Sequence, residues 1–231
     1  AKYSRGYRSG GVYVYAPIGS RNFEQEKLDS YEGGFKTSWG GALSGTLNAS
    51  AFYNKFSDQQ LQVGFSPSSN NGRTNTIGIL NIGKSRIYGV EVEGSISPFE
   101  GFSIDGSYSY LNTKITDIVP AVSADPAYIL SGSTQAGDRL PFTPKNKFSI
   151  SARYTLPLPD SAGKLSLGAT FSHSDRILTN YAYLHSPAIQ SLYDGANYSF
   201  IDAINLVNLN ANWNSVGGSP VDLSIFASNV T

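Results

Sequence analysis

The sequence contains no cysteine and no methionine, and only two of its 231 residues are histidines. Without cysteine the chain can form no disulfide, bind no metal through a thiolate and use no cysteine nucleophile. The chain also lacks an initiating methionine and a signal peptide, although its first residues already have the pattern of a β-strand. We therefore interpret it as a fragment of a longer protein.

Charged residues are also scarce, at 15% of the chain against roughly a quarter in soluble domains. The 17 basic and 17 acidic residues cancel, so we expect no binding to nucleic acid. A hydrophobic content of 40% is too high for a disordered chain. No run approaches the roughly 18 consecutive apolar residues of a membrane helix. These features exclude a helical membrane protein but not one built from strands.

Apolar and polar residues alternate along most of the chain, which predicts strands with one apolar and one polar face. Between residues 102 and 110, every even position is apolar, aromatic or glycine, and every odd position is serine or aspartate. The alternation predicts nine strands and no helix, with the strands over residues 2–7, 31–39, 43–53, 88–96, 102–112, 146–156, 165–172, 207–213 and 221–225.

The connections between these strands alternate in length. The short ones are residues 40–42, 98–101, 157–163 and 215–220, and the long ones are 8–27, 64–77, 115–144 and 174–203. Such alternation is typical of outer-membrane barrels, which have short periplasmic turns and long extracellular loops. The sequence therefore predicts an all-β fold, an antiparallel up-and-down transmembrane β-barrel fragment of about nine strands.

Three aromatic residues, Trp39, Tyr154 and Trp213, lie at or near short turns. This placement fits the aromatic girdle at the periplasmic surface of such barrels. The alternative is that aromatic residues are simply good strand formers.

Few residues are candidates for catalysis. Ser172, His173 and Asp175 are the residue types of a hydrolytic triad, but adjacent strand residues point to opposite faces and cannot assemble one. Glu91 and Glu93 share the polar face of one strand, where we expect salt bridges to lysine or arginine of the barrel interior rather than acid–base chemistry. We predict no enzyme activity.

Three aspartates, Asp117, Asp125 and Asp138, lie in one long loop. Their spacing does not match that of a calcium-binding loop. We predict no metal site and no cofactor.

Five segments, in order along the chain, resemble the C-terminal barrel of TonB-dependent outer-membrane receptors. They are residues 3–11 (YSRGYRSGG), 29–36 (DSYEGGFK), 81–93 (NIGKSRIYGVEVE), 137–144 (GDRLPFTP) and 228–231 (SNVT). The resemblance implies a receptor of about 22 strands plugged by an N-terminal domain. Such receptors import scarce nutrients, most often iron–siderophore complexes, across the outer membrane of Gram-negative bacteria.

On this resemblance, residues 1–231 are a partial barrel domain without the plug domain, the early strands and the last strand. The implied partners are outer-membrane lipid, the TonB complex through the absent N-terminal region, and a small-molecule ligand such as a siderophore. The fragment itself is expected to be inactive. The motifs have a structural character and do not identify the ligand.

Two other classes share some of these features. A passive porin would show the same alternation and loop asymmetry. However, residues 43–63 could form a strand of about 21 residues, well beyond the 9–11 that cross a membrane. A secreted β-sandwich adhesin would need a dry core on one face of each sheet.

The ligand is expected to contact two of the long loops, residues 8–27 and the aromatic-rich residues 179–200. Aromatic rings offer stacking surfaces, and guanidinium groups pair with carboxylates or catecholates. The predicted ligand-binding residues are Arg5, Arg8, Tyr181, Tyr183, His185 and Tyr193. The alternatives are that the aromatic loop packs on itself and that the two arginines have a scaffold role.

Overall fold

The computed structural model describes residues 1–69, 72–118, 123–131, 134–179, 181–185 and 199–230. The strands are β1 (Lys2–Arg8), β2 (Gly11–Val12), β3 (Asn22–Phe23), β4 (Glu26–Trp39), β5 (Ser44–Pro67), β6 (Thr76–Phe99), β7 (Phe102–Ile118), β8 (Tyr128–Ser131), β9 (Asn146–Thr155), β10 (Lys164–Ser174), β11 (Ile177–Leu178), β12 (Phe200–Ile201), β13 (Ile204–Asn214) and β14 (Leu223–Ala227). A single helical turn, α1 (Ala182–His185), and two 3-10 turns (Asp160–Ala162 and Val216–Gly218) are also present.

Nine strands form a continuous antiparallel wall in the order β1-β4-β5-β6-β7-β9-β10-β13-β14, and β8 pairs with the outer part of β5. These nine strands are the predicted ones, so the antiparallel up-and-down fold is confirmed. The wall is open, because β1 and β14 end the order and do not pair with each other. One continuous wall excludes the two-sheet sandwich.

The hairpin of β5 and β6 has 24 residues in each strand, which fits the long strand considered from residue 43 but extends well beyond the predicted strand 88–96. Its ladder passes through two register shifts, between Phe56 and Gln59 and between Gln59 and Gln60. Asp58, at the first shift, has a φ of 54°. Because a one-residue shift moves all following side chains to the other face, it breaks the alternation from which strands are predicted.

The two faces of the wall differ in chemistry. Phe35 and Ala49 are cross-strand neighbours on the apolar face, and Ser50 and Glu91 are neighbours on the polar one. Phe35 is 57% exposed, and Ile150, also on the apolar face, is 49% exposed. Water-soluble proteins rarely leave such rows uncovered, whereas the lipid-facing side of a membrane strand consists of them.

The short turns are fixed by contacts of aromatic residues. The Trp213 indole N–H donates a hydrogen bond of 2.8 Å to the carbonyl of Ala162, in the turn between β9 and β10. In the turn between β6 and β7, the Phe99 and Phe102 rings stack at 5.1 Å, and Gly101 supplies the φ of 79° that the turn requires. These aromatic residues therefore lie where a periplasmic girdle is expected.

The buried apolar side chains of the described residues lie at the opposite end of the wall, next to the long loops. They are Ala16, Val63, Phe65, Ile115 and Leu178. No helix among the described residues is long and apolar enough to cross a membrane.

Candidate ligand-contact region

The segment between β1 and β4 folds onto the outer end of the β5–β6 hairpin. The Gln60 side-chain amide donates to the carbonyls of Ser9 and Glu24 at 2.9 and 3.0 Å. The Thr76 hydroxyl donates to the carbonyl of Tyr15 at 2.7 Å. The exposed side chains of this segment are mainly apolar or aromatic and include Val12, Val14, Tyr15 and Ile18.

The GDRLPFTP segment, residues 137–144, is fastened to the outer end of β7. Ile115 donates its N–H to the carbonyl of Asp138 at 2.7 Å. The Thr113 hydroxyl accepts the N–H of Leu140 at 2.9 Å. The segment therefore holds a long loop on the wall. No local pattern in the sequence marks Thr113, because its partner is 27 residues away.

Two predicted ligand residues, Tyr181 and His185, come together on the GDRLPFTP segment. The Tyr181 hydroxyl donates to the carbonyl of Arg139 at 2.9 Å. The His185 Nε2 lies 2.9 Å from both carboxylate oxygens of Asp138. Burial, with a smaller contribution from the charge of Asp138, raises the pKa of the Tyr181 hydroxyl above its usual range. Both side chains thus fasten one long loop to another.

The remaining predicted aromatic residues are described only in part. The backbone of Tyr183 belongs to α1. The Tyr183 side chain and the whole of Tyr193 lie outside the described residues.

Arg5 and Arg8 lie on opposite faces of β1, since they are three residues apart in a regular strand. The Arg5 guanidinium binds the carboxylate of Asp29 through two hydrogen bonds, of 2.6 and 3.0 Å, and the Tyr3 hydroxyl donates to the same carboxylate at 2.7 Å. Arg8 is exposed and lies opposite Glu26 on the other face. A role of either arginine in ligand binding stays a prediction.

The polar face of the wall contains a shallow groove of about 430 Å³, lined in part by Glu32, Lys36, Glu91 and Glu93. Among the described residues, neither Glu91 nor Glu93 forms an ion pair, and their salt bridges to other parts of the barrel interior stay a prediction. Within the wall, the register is the reason: the cross-strand neighbours of both glutamates on β5 and β7 are serines and an asparagine.

Of the residues considered for a catalytic triad, Ser172 is separated from His173 and Asp175, as predicted. The Ser172 hydroxyl lies on the polar face, 3.0 Å from the Ser149 hydroxyl. The His173 ring is on the other face, with Nδ1 2.7 Å from the Asn205 side-chain oxygen and Nε2 3.1 Å from Asp175. Histidine and serine therefore cannot share a proton.

The three loop aspartates occupy three separate places. Asp117 pairs with Lys84, Asp125 with Arg73 and Asp138 with His185. Within the described residues, no group of three or more metal-ligating side chains comes together.

A wall with an apolar outer face, a polar inner face and long loops folded over one end defines part of an outer-membrane β-barrel. The family model "TonB dependent receptor-like, beta-barrel" matches residues 1–230. The chain belongs to this family, and the predicted resemblance is confirmed.

Solved structures share this fold at low sequence identity. The ferric yersiniabactin uptake receptor FyuA from Yersinia pestis is 19% identical, with a TM-score of 0.62 over 99% of this chain and 29% of its own. The siderophore receptor PiuA from Acinetobacter baumannii is 17% identical, with a TM-score of 0.67 over 99% of this chain and 28% of its own. The copper transporter OprC is 14% identical, with a TM-score of 0.57 over 99% of this chain and 30% of its own.

The chain thus spans less than a third of the length of these structures. A comparison with curated proteins finds no match. Proteins of this family are receptors and transporters of the outer membrane of Gram-negative bacteria, so the predicted localisation and the prediction of a non-enzyme are confirmed.

Proposed function

We propose that this chain is the partial barrel domain of a receptor that takes up an iron–siderophore complex across the outer membrane, with energy delivered through TonB. In this proposal, a plug domain and further strands belong to the same polypeptide and complete the receptor. The chain by itself does not transport.

The observation that carries the proposal is the arrangement of the outer end. Two long segments are fastened to the outer ends of β5, β6 and β7, and they present exposed apolar and aromatic side chains, among them Tyr15, Ile18 and Phe142. A ferric siderophore offers flat, partly apolar chelating groups that such side chains can contact. Two neighbours in fold, FyuA and PiuA, are named as siderophore-uptake proteins, which favours this cargo over the copper of OprC.

Uptake of labelled metal by cells tests the proposal. The intact receptor is expressed in a Gram-negative strain without its own siderophore receptors, and cells are offered a ferric catecholate, a ferric hydroxamate or copper(II). We expect iron uptake with one of the ferric complexes and its loss when TonB is deleted. Uptake that is independent of TonB would indicate a passive channel, and uptake of copper alone would overturn the cargo assignment.

The predicted ligand residues are tested in the same strain by deleting residues 181–193. We expect weaker binding of the transported ferric complex, with the receptor still inserted in the membrane. An unchanged affinity in a well-inserted variant would place recognition in other parts of the receptor. The variant Arg8→Gln separates the contribution of the exposed arginine, because Arg8 forms no ion pair among the described residues.

A further inference from the structure

A row of basic side chains crosses three neighbouring strands on the lipid-facing side of the wall. Lys55 of β5 lies opposite Arg86 of β6, which lies opposite Lys114 of β7. These residues have the same strand parity as the apolar face, and Lys55 and Lys114 are exposed. Adjacent strands are about 4.8 Å apart, so the row is about 10 Å wide.

The position of the row along the strands coincides with the outer boundary of the membrane. On β4, Asp29 lies opposite Lys55 and continues the row. Trp39, ten residues further along β4, lies at the short-turn end of that strand. At about 3.3 Å per residue and a tilt of about 40°, this separation spans about 25 Å, the height of the apolar band. Two residues closer to the membrane centre lies a row of tyrosines, formed by Tyr3, Tyr31, Tyr53 and Tyr88.

The basic row has no sufficient internal counter-charge. Like charges on directly opposite strand positions are destabilising, yet none of the three forms an ion pair among the described residues. The one carboxylate in the row, that of Asp29, is taken up by Arg5 and Tyr3. In addition, the Arg86 Nε is buried without a hydrogen-bond partner.

The next lysines towards the outer end form a contrast. Lys27 pairs with Asp58 at 3.4 Å, and Lys84 pairs with Asp117 at 3.1 Å. These two lysines are thus matched with acids, whereas the three basic residues of the row are not. An external anion at that depth would supply the missing charge.

We propose that Lys55, Arg86 and Lys114 form a binding surface for the phosphate groups of a lipid headgroup in the outer leaflet. The tyrosine row below the surface contacts the upper part of the acyl chains, where amphipathic rings favour the interface. The Arg86 guanidinium, 5.8 Å above the Tyr88 ring, connects the two rows. The receptor would carry this lipid on its outer wall, away from the ligand path.

Lipid binding by the intact receptor tests this proposal. The receptor is placed in phosphatidylcholine nanodiscs with diphosphorylated lipid A, with lipid A stripped of phosphate or with neither, and bound lipid A is measured by native mass spectrometry. We expect the triple variant Lys55→Gln, Arg86→Gln, Lys114→Gln to bind the diphosphorylated lipid about a hundredfold more weakly, since each basic side chain at an anionic surface contributes a factor of about five.

The matched control removes the same charge from the inner face, as Lys36→Gln, Lys147→Gln, Arg153→Gln, and should bind the lipid like wild type. Replacing Lys55 and Lys114 with arginine should preserve binding, which separates loss of charge from misfolding. The proposal would be overturned if both triple variants lost lipid binding equally, or if the dephosphorylated lipid bound as well as the diphosphorylated one. Inorganic phosphate that competes as strongly as the lipid would also overturn it.

Discussion

The membrane-spanning part of the wall and its outer end are stabilised by different means. In the first, apolar side chains such as those of Phe35 and Ile150 lie on the outer face and are exposed. In the second, Phe65 and Ile115 are completely buried between strands and loops. Lipid must cover the first region, whereas the second contains its own small hydrophobic core. Apolar side chains are therefore covered by lipid in one region and by protein in the other, and the same substitution should have different effects in the two regions.

The largest expected difference between the two regions concerns accessibility. A tag inserted at Ser69, in the tip of the β5–β6 hairpin, should be labelled on intact cells that express the complete receptor. A tag at Gly217, in the turn between β13 and β14, should be labelled only after the outer membrane is opened. Labelling of Gly217 but not Ser69 on intact cells would reverse the orientation of the wall.

Truncating a buried side chain in the small hydrophobic core of the outer end should strongly destabilise that end and leave the rest of the wall unaffected. Phe65→Ala removes a completely buried ring and should lower the local stability of the outer end by about 3–5 kcal/mol. Hydrogen exchange of the intact receptor should then increase in the outer part of β5 and in β8, while β9 and β10 stay protected. The control Phe35→Ala lies on the lipid face and should leave exchange at the outer end unchanged. A uniform loss of protection from hydrogen exchange along the whole wall would show that the outer end has no hydrophobic core of its own.

A charge should be tolerated on one face of the wall only. Ile150→Arg places a cation towards lipid and should cost about 2–4 kcal/mol near the bilayer midplane. Ser107→Arg, on the polar inner face, should cost much less. Folding of the intact receptor into liposomes measures both values, and equal losses would show that the two faces have been assigned wrongly.

The smallest effect is expected at the contact between the two long loops. Tyr181→Phe removes the hydrogen bond to the Arg139 carbonyl, which is worth about 1 kcal/mol. Faster cleavage by protease near α1 should report it, with Tyr7→Phe as the exposed control. An unchanged cleavage rate would mean that the hydrogen bond does not hold the loop.

The same contact predicts a dependence on pH. Because the pKa of Tyr181 is raised in the folded state, its contribution to stability is fully present below the ordinary tyrosine pKa of about 10 and is lost as the pH rises further. In ultraviolet titration, the Tyr181→Phe receptor should show one late-ionising tyrosine fewer than the intact receptor.

The sequence was sufficient to predict the wall because lipid on one side and water on the other impose a strict alternation on every strand. The outer end could not be predicted in this way. The irregularity at Asp58 interrupts the alternation, and β8 pairs with β5 rather than with a neighbour in sequence. The pairing of Arg5 with Asp29 depends on the register of two strands, as does the basic row around Arg86. Such register is visible only when strands are aligned with one another.

The pairing of β8 with β5 also has a consequence for the order of folding. Gly64 meets Ser131 across that ladder, whereas β5 and β6 are joined by a single hairpin connection. Because closing a long loop costs more entropy than closing a short one, the hairpins of the wall should form first. The β8 ladder can follow only after β6 and β7 are in place. The outer end should therefore be completed late in folding, after the hairpins of β5, β6 and β7 have formed.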